Sequence, residues 1–324
     1  MVYHRGMRTS FSIAAAALLV ACGSSDPGTT TSSSSISGAG GATNLGGAIN
    51  VGGAVNTGGS MVQPTEPPTS LVPVATGACP ELTQGKHTFT ADGVSRDVLL
   101  WVDPAKAQEL DGPLVFFWHG AGGDPSEATY ALGKAIDEIT ALGGVVAAPY
   151  HDPASSVLPW YLCLGGTDEI DLRIADEVLA CAIGKVGVDM RRIHSVGFSA
   201  GAMNTEQFAA RRSGYLASIV AYSGARLGTV VEEQLPANKY PAMLFHGGPN
   251  DTVVVNFAEQ QNKYHEALTA EGHFSFICDH GKGHTVPSDG RAAAWQFLQD
   301  HPYGTQPEPY LGGLPVGFPS YCAL

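Results

Sequence analysis

The five residues Gly197-Phe198-Ser199-Ala200-Gly201 constrain the fold of this chain more than any other feature. They follow a short apolar run, 192–196, that is typical of a buried strand, and they precede a stretch from 200 to 212 that is rich in helix-forming residues. Strand, tight turn and helix in this order match a nucleophile elbow, where a serine lies on a sharp turn with its hydroxyl facing a cleft. Flanking glycines avoid steric conflict in such a strained turn. The sequence therefore predicts Ser199 as a nucleophile.

The first 22 residues have the pattern of an export signal. A basic start is followed by the apolar stretch 11–21, which is shorter than the roughly 20 residues needed to span a bilayer. The stretch ends in Leu19-Val20-Ala21-Cys22, which resembles the lipobox of bacterial lipoproteins. We expect Cys22 to carry a lipid anchor, so that the protein is lipid-anchored to a bacterial membrane or secreted. The alternative is ordinary signal cleavage that leaves Cys22 unmodified or removes it.

Residues 23–78 are dominated by Ser, Thr, Gly, Asn and Pro and contain few large apolar side chains. Such a composition cannot bury a core, and a short six-residue repeat within it is too poor in aliphatic residues to form a β-helix. We therefore expect a disordered tether over 23–78. The remaining residues, 79–324, have the length of one α/β catalytic domain.

The chain has a formal net charge of −13. This acidity argues against nucleic-acid binding, which requires Lys and Arg to neutralise phosphates. Five cysteines follow Cys22, so disulfides in an exported chain would leave one thiol unpaired, and their pairing cannot be deduced from spacing. No Cys or His spacing indicates a metal site, and we expect none.

Apolar runs and helical stretches alternate along 94–299, which favours a mainly parallel central sheet with helices on both faces. In such sheets, sites lie at the carboxyl ends of the strands, and each candidate catalytic residue follows directly after a predicted strand. The predicted strands are 94–102, 114–118, 144–148, 193–196, 216–222, 242–245 and 274–277, and the predicted helices are 126–142, 168–184, 200–212, 257–271 and 290–299.

A serine hydroxyl needs a base to accept its proton, and the base needs a carboxylate to orient it. Asp251 lies in a loop after the strand 242–245, although an aspartate there would also suit a simple turn. Two histidines follow the strand 274–277. His284 is the predicted base, and His280 is the second candidate. We expect His194, inside the elbow strand, to be a buried polar group with a local partner.

A glycine-rich loop, 119–123, follows the apolar strand 114–118. Acyl transfer places negative charge on the former carbonyl oxygen, which backbone N–H groups stabilise. We predict that the N–H groups of Ala121 and Ala200 form this oxyanion hole. The loop lacks the phosphate-binding patterns of nucleotide sites.

With these motifs, the domain resembles the exported esterases related to polyhydroxybutyrate depolymerases, feruloyl esterases and acetyl-xylan esterases. The resemblance covers 79–324 and implies an α/β-hydrolase fold with Ser199, Asp251 and His284 as the triad, acting without a cofactor. The segment 150–161 departs from many relatives. In that segment, Trp160 and Tyr161 either stack on an aromatic acyl group or a sugar, or belong to the core.

The sequence thus favours an extracytoplasmic serine carboxylesterase whose substrate is an ester, either small or polymeric, such as a plant polysaccharide ester or a polyester. One alternative is a serine peptidase of the prolyl-oligopeptidase type, but no large accessory domain is evident. Another is a hydrolase-like surface binding protein, which would have no need for Ser, Asp and His in triad order.

Overall fold

The computed structural model describes residues 65–155, 158–163, 165–228, 231–253 and 255–324. The predicted export signal with Cys22, and the predicted tether up to residue 64, lie outside the described residues. A short 3-10 turn, Thr69–Leu71, precedes the expected domain boundary. The backbone N–H groups of Thr76 and Gly77 donate to the buried carboxylate of Glu177 at 2.7 and 2.8 Å. The boundary at Cys79 stays a prediction, and residues 76 and 77 already contact the domain.

The strands of the described residues form one nine-stranded sheet in the order β1-β2-β4-β3-β5-β6-β7-β8-β9. The neighbours from β4 to β8 pair in parallel, whereas β1, β2 and β9 add antiparallel edges. The mainly parallel sheet is therefore confirmed. The strands are β1 Gly85–Ala91, β2 Val94–Val102, β3 Leu114–Trp118, β4 Val145–Pro149, β5 Ile193–Phe198, β6 Ser218–Tyr222, β7 Ala242–His246, β8 Ser275–Asp279 and β9 Cys322–Ala323.

Helices cover both faces of this sheet, which explains why the central strands are apolar without alternation. Every residue of β3, β4, β6 and β7 is buried. One apolar core includes residues of α1, α4, α5 and α6, and the other includes residues of α2, α3 and α7. The helices are α1 Pro104–Leu110, α2 Glu127–Leu132, α3 Ala135–Ala141, α4 Ile170–Lys185, α5 Ala200–Arg211, α6 Phe257–Ala270 and α7 Arg291–Asp300.

The single helix predicted over 126–142 is wrong, because two helices occupy this range. Gly133 follows α2 with φ 57° and ψ −128°, a conformation that cannot continue the helix and that glycine adopts without strain. The expectations did not include β1 either. It forms a hairpin with β2 through the two-residue turn Asp92-Gly93, both at positive φ.

Two disulfides link distant parts of the domain, Cys79 to Cys181 and Cys278 to Cys322, and Cys163 is a buried free thiol. Disulfides persist in oxidising compartments, so the pair of them is typical of an extracellular protein. Within the described residues, no helix combines the length and the apolar character that crossing a bilayer requires.

Helix α5 carries a fully buried carboxylate, Glu206, which accepts a hydrogen bond from Gln261 at 2.7 Å. Burial raises the pKa of Glu206 to about 8, against the opposing effects of Gln261 and Arg226. The folded state therefore keeps this proton at a pH where the unfolded chain, with its ordinary value of 4.5, has released it. The stability that the neutral group contributes is complete below the unfolded pKa and declines as pH rises towards about 8.

We expect Glu206→Gln to flatten this decline. The difference in unfolding free energy between pH 5 and pH 8 should shrink by a few kcal/mol, at about 1.4 kcal/mol per pKa unit. Urea unfolding at both pH values measures this difference in unfolding free energy. Glu259→Gln, a substitution at an exposed glutamate, is the control. An equal pH dependence in wild type and Glu206→Gln would contradict the raised pKa.

Candidate active site

Ser199 connects β5 to α5 in a strained conformation, with φ 56° and ψ −120°. A Cβ at Gly197 would overlap the carbonyl oxygen of Gly201, and a Cβ at Gly201 would overlap that of Trp118. Both glycines are therefore sterically required, because backbone atoms cannot move aside as the end of a flexible side chain can. The turn has the geometry of a nucleophile elbow and leaves Ser199 half-buried at the carboxyl end of the sheet.

The structure brings the three predicted side chains into one hydrogen-bonded line. His284 Nε2 lies 2.9 Å from Ser199 Oγ, and His284 Nδ1 lies 2.7 Å from Asp251 Oδ1. Asp251 is completely buried, whereas Ser199 and His284 remain accessible. A carboxylate on Nδ1 fixes the tautomer in which Nε2 is free to accept the serine proton. This arrangement can therefore activate a serine hydroxyl for attack on a carbonyl carbon.

Two further donors hold the carboxylate of Asp251. The Ser223 hydroxyl and the Gly247 N–H both donate to Oδ2, at 2.7 and 2.8 Å. Burial acts to raise the pKa of Asp251, but the hydrogen bonds from His284, Gly247 and Ser223 outweigh it and leave the pKa below its ordinary value. Asp251 is therefore an anion at neutral pH. Its contribution to stability is present above the ordinary carboxyl pKa and is lost as pH falls through the lowered value.

Two phenylalanine rings pack against the imidazole of His284. The ring of Phe257 stacks on it at 4.8 Å, and the ring of Phe198 lies 4.9 Å away on a tilted plane. These contacts limit the movement of the imidazole, which helps both nitrogens to stay aligned with their partners. The second candidate, His280, does not take part in this hydrogen-bonded line. Its backbone N–H donates to the carbonyl of His246, and its ring packs near Tyr321.

The loop after β3 presents backbone N–H groups beside Ser199. In the described chain, neither the N–H of Ala121 nor that of Ala200 donates to a protein acceptor. His119 Nδ1 lies 2.8 Å from the carbonyl oxygen of Gly120 and must be the donor, since a carbonyl only accepts. In a trans peptide, the next N–H points the opposite way, so His119 orients the N–H of Ala121 away from its own ring. Burial lowers the pKa of His119 to about 4, so the ring is neutral.

Glu127, in the first turn of α2, holds the same loop from the other side. Its carboxylate accepts the N–H of Gly120 at 2.8 Å and packs closely on Gly123, where a Cβ would displace the carboxylate from this position. Burial raises the pKa of Glu127, partly offset by the hydrogen bond from Gly120. Glu127 is thus a positioning residue for the loop that carries Ala121.

We expect Glu127→Ala to lower kcat with little change in KM, because the loop loses one anchor and the buried N–H of Gly120 loses its acceptor. The loss should be roughly 10-fold, below the 10²–10³-fold cost of deleting an oxyanion donor itself. Glu127→Gln keeps an acceptor oxygen and should retain most activity. Steady-state kinetics on a soluble ester measures kcat and KM of both variants. Equal losses of kcat in Glu127→Ala and Glu127→Gln would argue against a positioning role for Glu127.

A small cavity opens beside Ser199, and neither of the two predicted aromatic residues, Trp160 and Tyr161, is part of its lining. Trp160 is buried in the core, where its ring packs edge-on against Trp118 at 5.0 Å and its Nε1 donates to the carbonyl of His119. Tyr161 donates its hydroxyl to Asp152 at 3.0 Å. Of the two interpretations, the structure therefore favours core packing for Trp160. His194 is buried and bonded to Ser218, as expected.

Sequence reasoning missed Ser223, Glu127 and Phe257 as parts of the site. Ser223 carried a usable signal, because it follows directly after the apolar run that becomes β6, as the other site residues follow their strands. Glu127 and Phe257 carried none, because their roles depend on how α2 and α6 pack against the loops.

Residues 174–302 match the model of the phospholipase/carboxylesterase family. No curated protein sequence matches the chain. Solved structures share its fold at low identity. Native sOPH aligns with a TM-score of 0.57 at 18% identity, over 76% of this chain and 96% of its own. A thermostable esterase aligns with a TM-score of 0.55 at 20% identity, over 67% of this chain and 62% of its own. The Bacillus cereus carboxylesterase has a TM-score of 0.50 at 16% identity, over 63% and 94%.

These structural likenesses establish the fold, and the partial match to the family model bears on the chemistry. Taken together, they make the chain a hydrolase of the carboxylesterase kind with the α/β-hydrolase fold.

Proposed function

We propose that the chain is an extracytoplasmic serine esterase in which Ser199 is the nucleophile, His284 the general base and acid, and Asp251 the residue that orients His284. The observation that carries the proposal is the line of two short hydrogen bonds, 2.9 and 2.7 Å, ending at a strained serine. A line of this kind serves acyl transfer and has no evident use in a binding protein.

In the first half of the reaction, Ser199 Oγ attacks the ester carbonyl carbon while His284 Nε2 accepts its proton. The carbonyl oxygen becomes an oxyanion, to which the N–H groups of Ala121 and Ala200 donate. His284 then returns the proton to the departing alkoxide, and the acyl group remains on Ser199. Asp251 stabilises the transient imidazolium throughout.

In the second half, a water molecule takes the place of the alcohol. The oxygen of the water attacks the acyl carbon while His284 accepts a proton from the water. His284 then delivers that proton to Ser199 Oγ as the acyl group leaves. The products are a carboxylic acid and the restored enzyme. These steps use only protein side chains and backbone donors, and the proposal includes no cofactor.

The proposed substrate classes follow from the resemblance of the motifs to exported esterases. They are acetyl or feruloyl groups on plant polysaccharide, and polyesters such as polyhydroxybutyrate. The domain from 79 onwards would work at the end of a tether, 23–78, which suits an enzyme that acts on insoluble or surface-bound material.

Covalent trapping tests the proposed chemistry. A fluorophosphonate should phosphonylate Ser199, with loss of fluoride, and mass spectrometry should locate the adduct on the peptide that contains Ser199. The same protein should hydrolyse p-nitrophenyl acetate and leave a prolyl p-nitroanilide intact. Cleavage of the anilide in preference to the ester would support a peptidase, and a folded protein inert to all three reagents would support a binding protein.

The lipid anchor is a separate proposal, based on Leu19-Val20-Ala21-Cys22. In a bacterial host, radiolabelled palmitate should be incorporated into the wild-type protein and not into Cys22→Ala. Unlabelled wild-type protein in the culture medium would instead indicate ordinary signal cleavage.

A further inference from the structure

A small apolar cavity of about 50 Å³ opens beside Ser199. Together with Ser199, Ala121 and Ala200 belong to its lining, and the other described residues of the wall contribute only aliphatic, thioether and aromatic side chains. These are Leu158, Met203, Leu227, Val253, Val255 and Phe257. A cavity with this lining favours saturated hydrocarbon and offers no partner to a buried polar group.

The position of the cavity identifies the part of the ester that enters it, and this step rests on the function proposed above. The leaving alkoxide must lie at His284 Nε2, from which it takes its proton. The cavity adjoins Ser199, Ala121 and Ala200, whereas His284 is not part of its lining. The cavity is therefore on the acyl side of the scissile bond.

The size of the cavity limits the acyl group. An apolar cavity of about 150 Å³ binds benzene, and the cavity beside Ser199 has roughly one third of that volume. A feruloyl group adds a three-carbon linker, a methoxyl and a phenolic hydroxyl to such a ring, and the side chains described around the cavity beyond Ser199 offer the two oxygen substituents no hydrogen-bond partner. The acyl unit of polyhydroxybutyrate carries an oxygen on its third carbon and continues as a chain, which the apolar wall does not accommodate.

We infer that this site is selective for esters of short, unbranched, saturated acids of roughly two to four carbons, and that it excludes feruloyl and polyester acyl groups. Of the substrate classes above, this leaves acetylated or similarly acylated alcohols. The bulk of such a substrate lies on the alcohol side, outside the cavity.

Met203 and Leu227 are the residues that set this limit. Met203 lies in the first turn of α5, four residues after Ser199. It lines the cavity and is only 4% exposed. Leu227 is half-buried and packs against the apolar core that includes Met203. Shortening either side chain removes atoms from the wall, so the cavity should accept a longer acyl chain.

The test is a series of p-nitrophenyl esters from acetate to octanoate, with methyl ferulate and a 3-hydroxybutyrate dimer as further substrates. In wild type, kcat/KM should be highest at or below butanoate and fall by roughly tenfold or more at octanoate, in line with the discrimination that pockets achieve between methylene homologues. Met203→Ala and Leu227→Ala should each move the optimum to longer chains. Met190→Ala, a half-buried methionine outside the cavity lining, is the matched control and should keep the wild-type profile.

Thermal unfolding checks that each variant folds, and the wild-type profile is decisive even if one variant does not. Wild-type hydrolysis of octanoate or methyl ferulate as fast as acetate would overturn the inference while leaving the esterase intact. An unchanged optimum in both folded alanine variants would overturn the assignment of Met203 and Leu227. A folded wild type that hydrolyses no ester at all would instead refute the proposed function.

Discussion

Ser199→Ala should abolish ester hydrolysis while leaving the fold intact. Without Oγ there is no atom to form the acyl-enzyme, and His284 loses the group that it deprotonates. In a serine protease, removal of the nucleophile lowers kcat on the order of 10⁶-fold, and a residual rate comes from the oxyanion donors and binding alone. We expect a loss of at least about 10⁴-fold here, since the same parts would remain.

The measurement is steady-state hydrolysis of p-nitrophenyl acetate, corrected for spontaneous hydrolysis, with thermal unfolding run on the same samples. The side chain is half-buried and its strained φ of 56° is equally strained for alanine, so stability should change little. Ser288→Ala, at an exposed serine, is the matched control for loss of a hydroxyl. Retention of more than about a hundredth of the activity by a folded Ser199→Ala would be incompatible with a nucleophile at this position.

The second large effect is expected from Asp251→Asn, which changes one charge and almost no volume. Oδ2 of Asp251 accepts from both the Ser223 hydroxyl and the N–H of Gly247. A backbone N–H can only donate, so the amide oxygen of asparagine must occupy that position. The amide NH₂ then faces His284 Nδ1, which lies 2.7 Å from Oδ1 in the wild type.

An NH₂ group at that place forces Nδ1 to accept, and the ring proton moves to Nε2. Nε2 can then no longer take the proton of Ser199, because it already carries one. The wrong tautomer of a triad histidine costs on the order of 10⁴ in kcat in a serine protease, and we expect a similar loss here with KM much less affected. Asp279→Asn is the control, since Asp279 lies 3.4 Å from His246 and outside the hydrogen-bonded line.

A loss of less than about tenfold in Asp251→Asn would show that His284 does not depend on Asp251 for its tautomer. Equal losses in Asp251→Asn and Asp279→Asn would point to a general effect of charge instead. The kinetics should be measured at neutral pH, where the lowered pKa keeps the wild-type carboxyl ionised.

The central strands and the elbow could be predicted from the sequence because their signals are local. A strand that is covered on both faces is apolar throughout, and the run Leu114–Trp118 has the same bounds in sequence and structure. The turn at Ser199 is recognisable in the sequence from Gly197 and Gly201, because any larger residue at these two positions would conflict with nearby backbone atoms. The parallel direction of the central strands, and therefore the edge of the sheet where the loops meet, followed from the alternation of strands and helices, whereas the order of the strands came from the structure.

Several expectations failed or stayed open although their signals were local too. Gly133 was visible within the range 126–142 but was outweighed by the helix-forming residues on both sides. The turn Asp92-Gly93 is a strong hairpin signal, yet β1 before it is polar and half-exposed, and its strand character comes from pairing with β2. In both places the chemistry of a turn, and not the composition of the segment, determines where the element ends.

Only the tertiary structure shows that His284, and not His280, lies between Ser199 and Asp251. It pairs Cys79 with Cys181 and places Trp160 in the core. It also joined Glu127 to the N–H of Gly120 and put Met203 and Leu227 in one small cavity. Each of these depends on which side chains meet after the chain has crossed the sheet, over separations as large as 102 residues for the disulfide. Backbone sterics and burial periodicity act between near neighbours and so can be read along the chain. Contacts between distant segments depend on loop paths and packing, which no local pattern encodes.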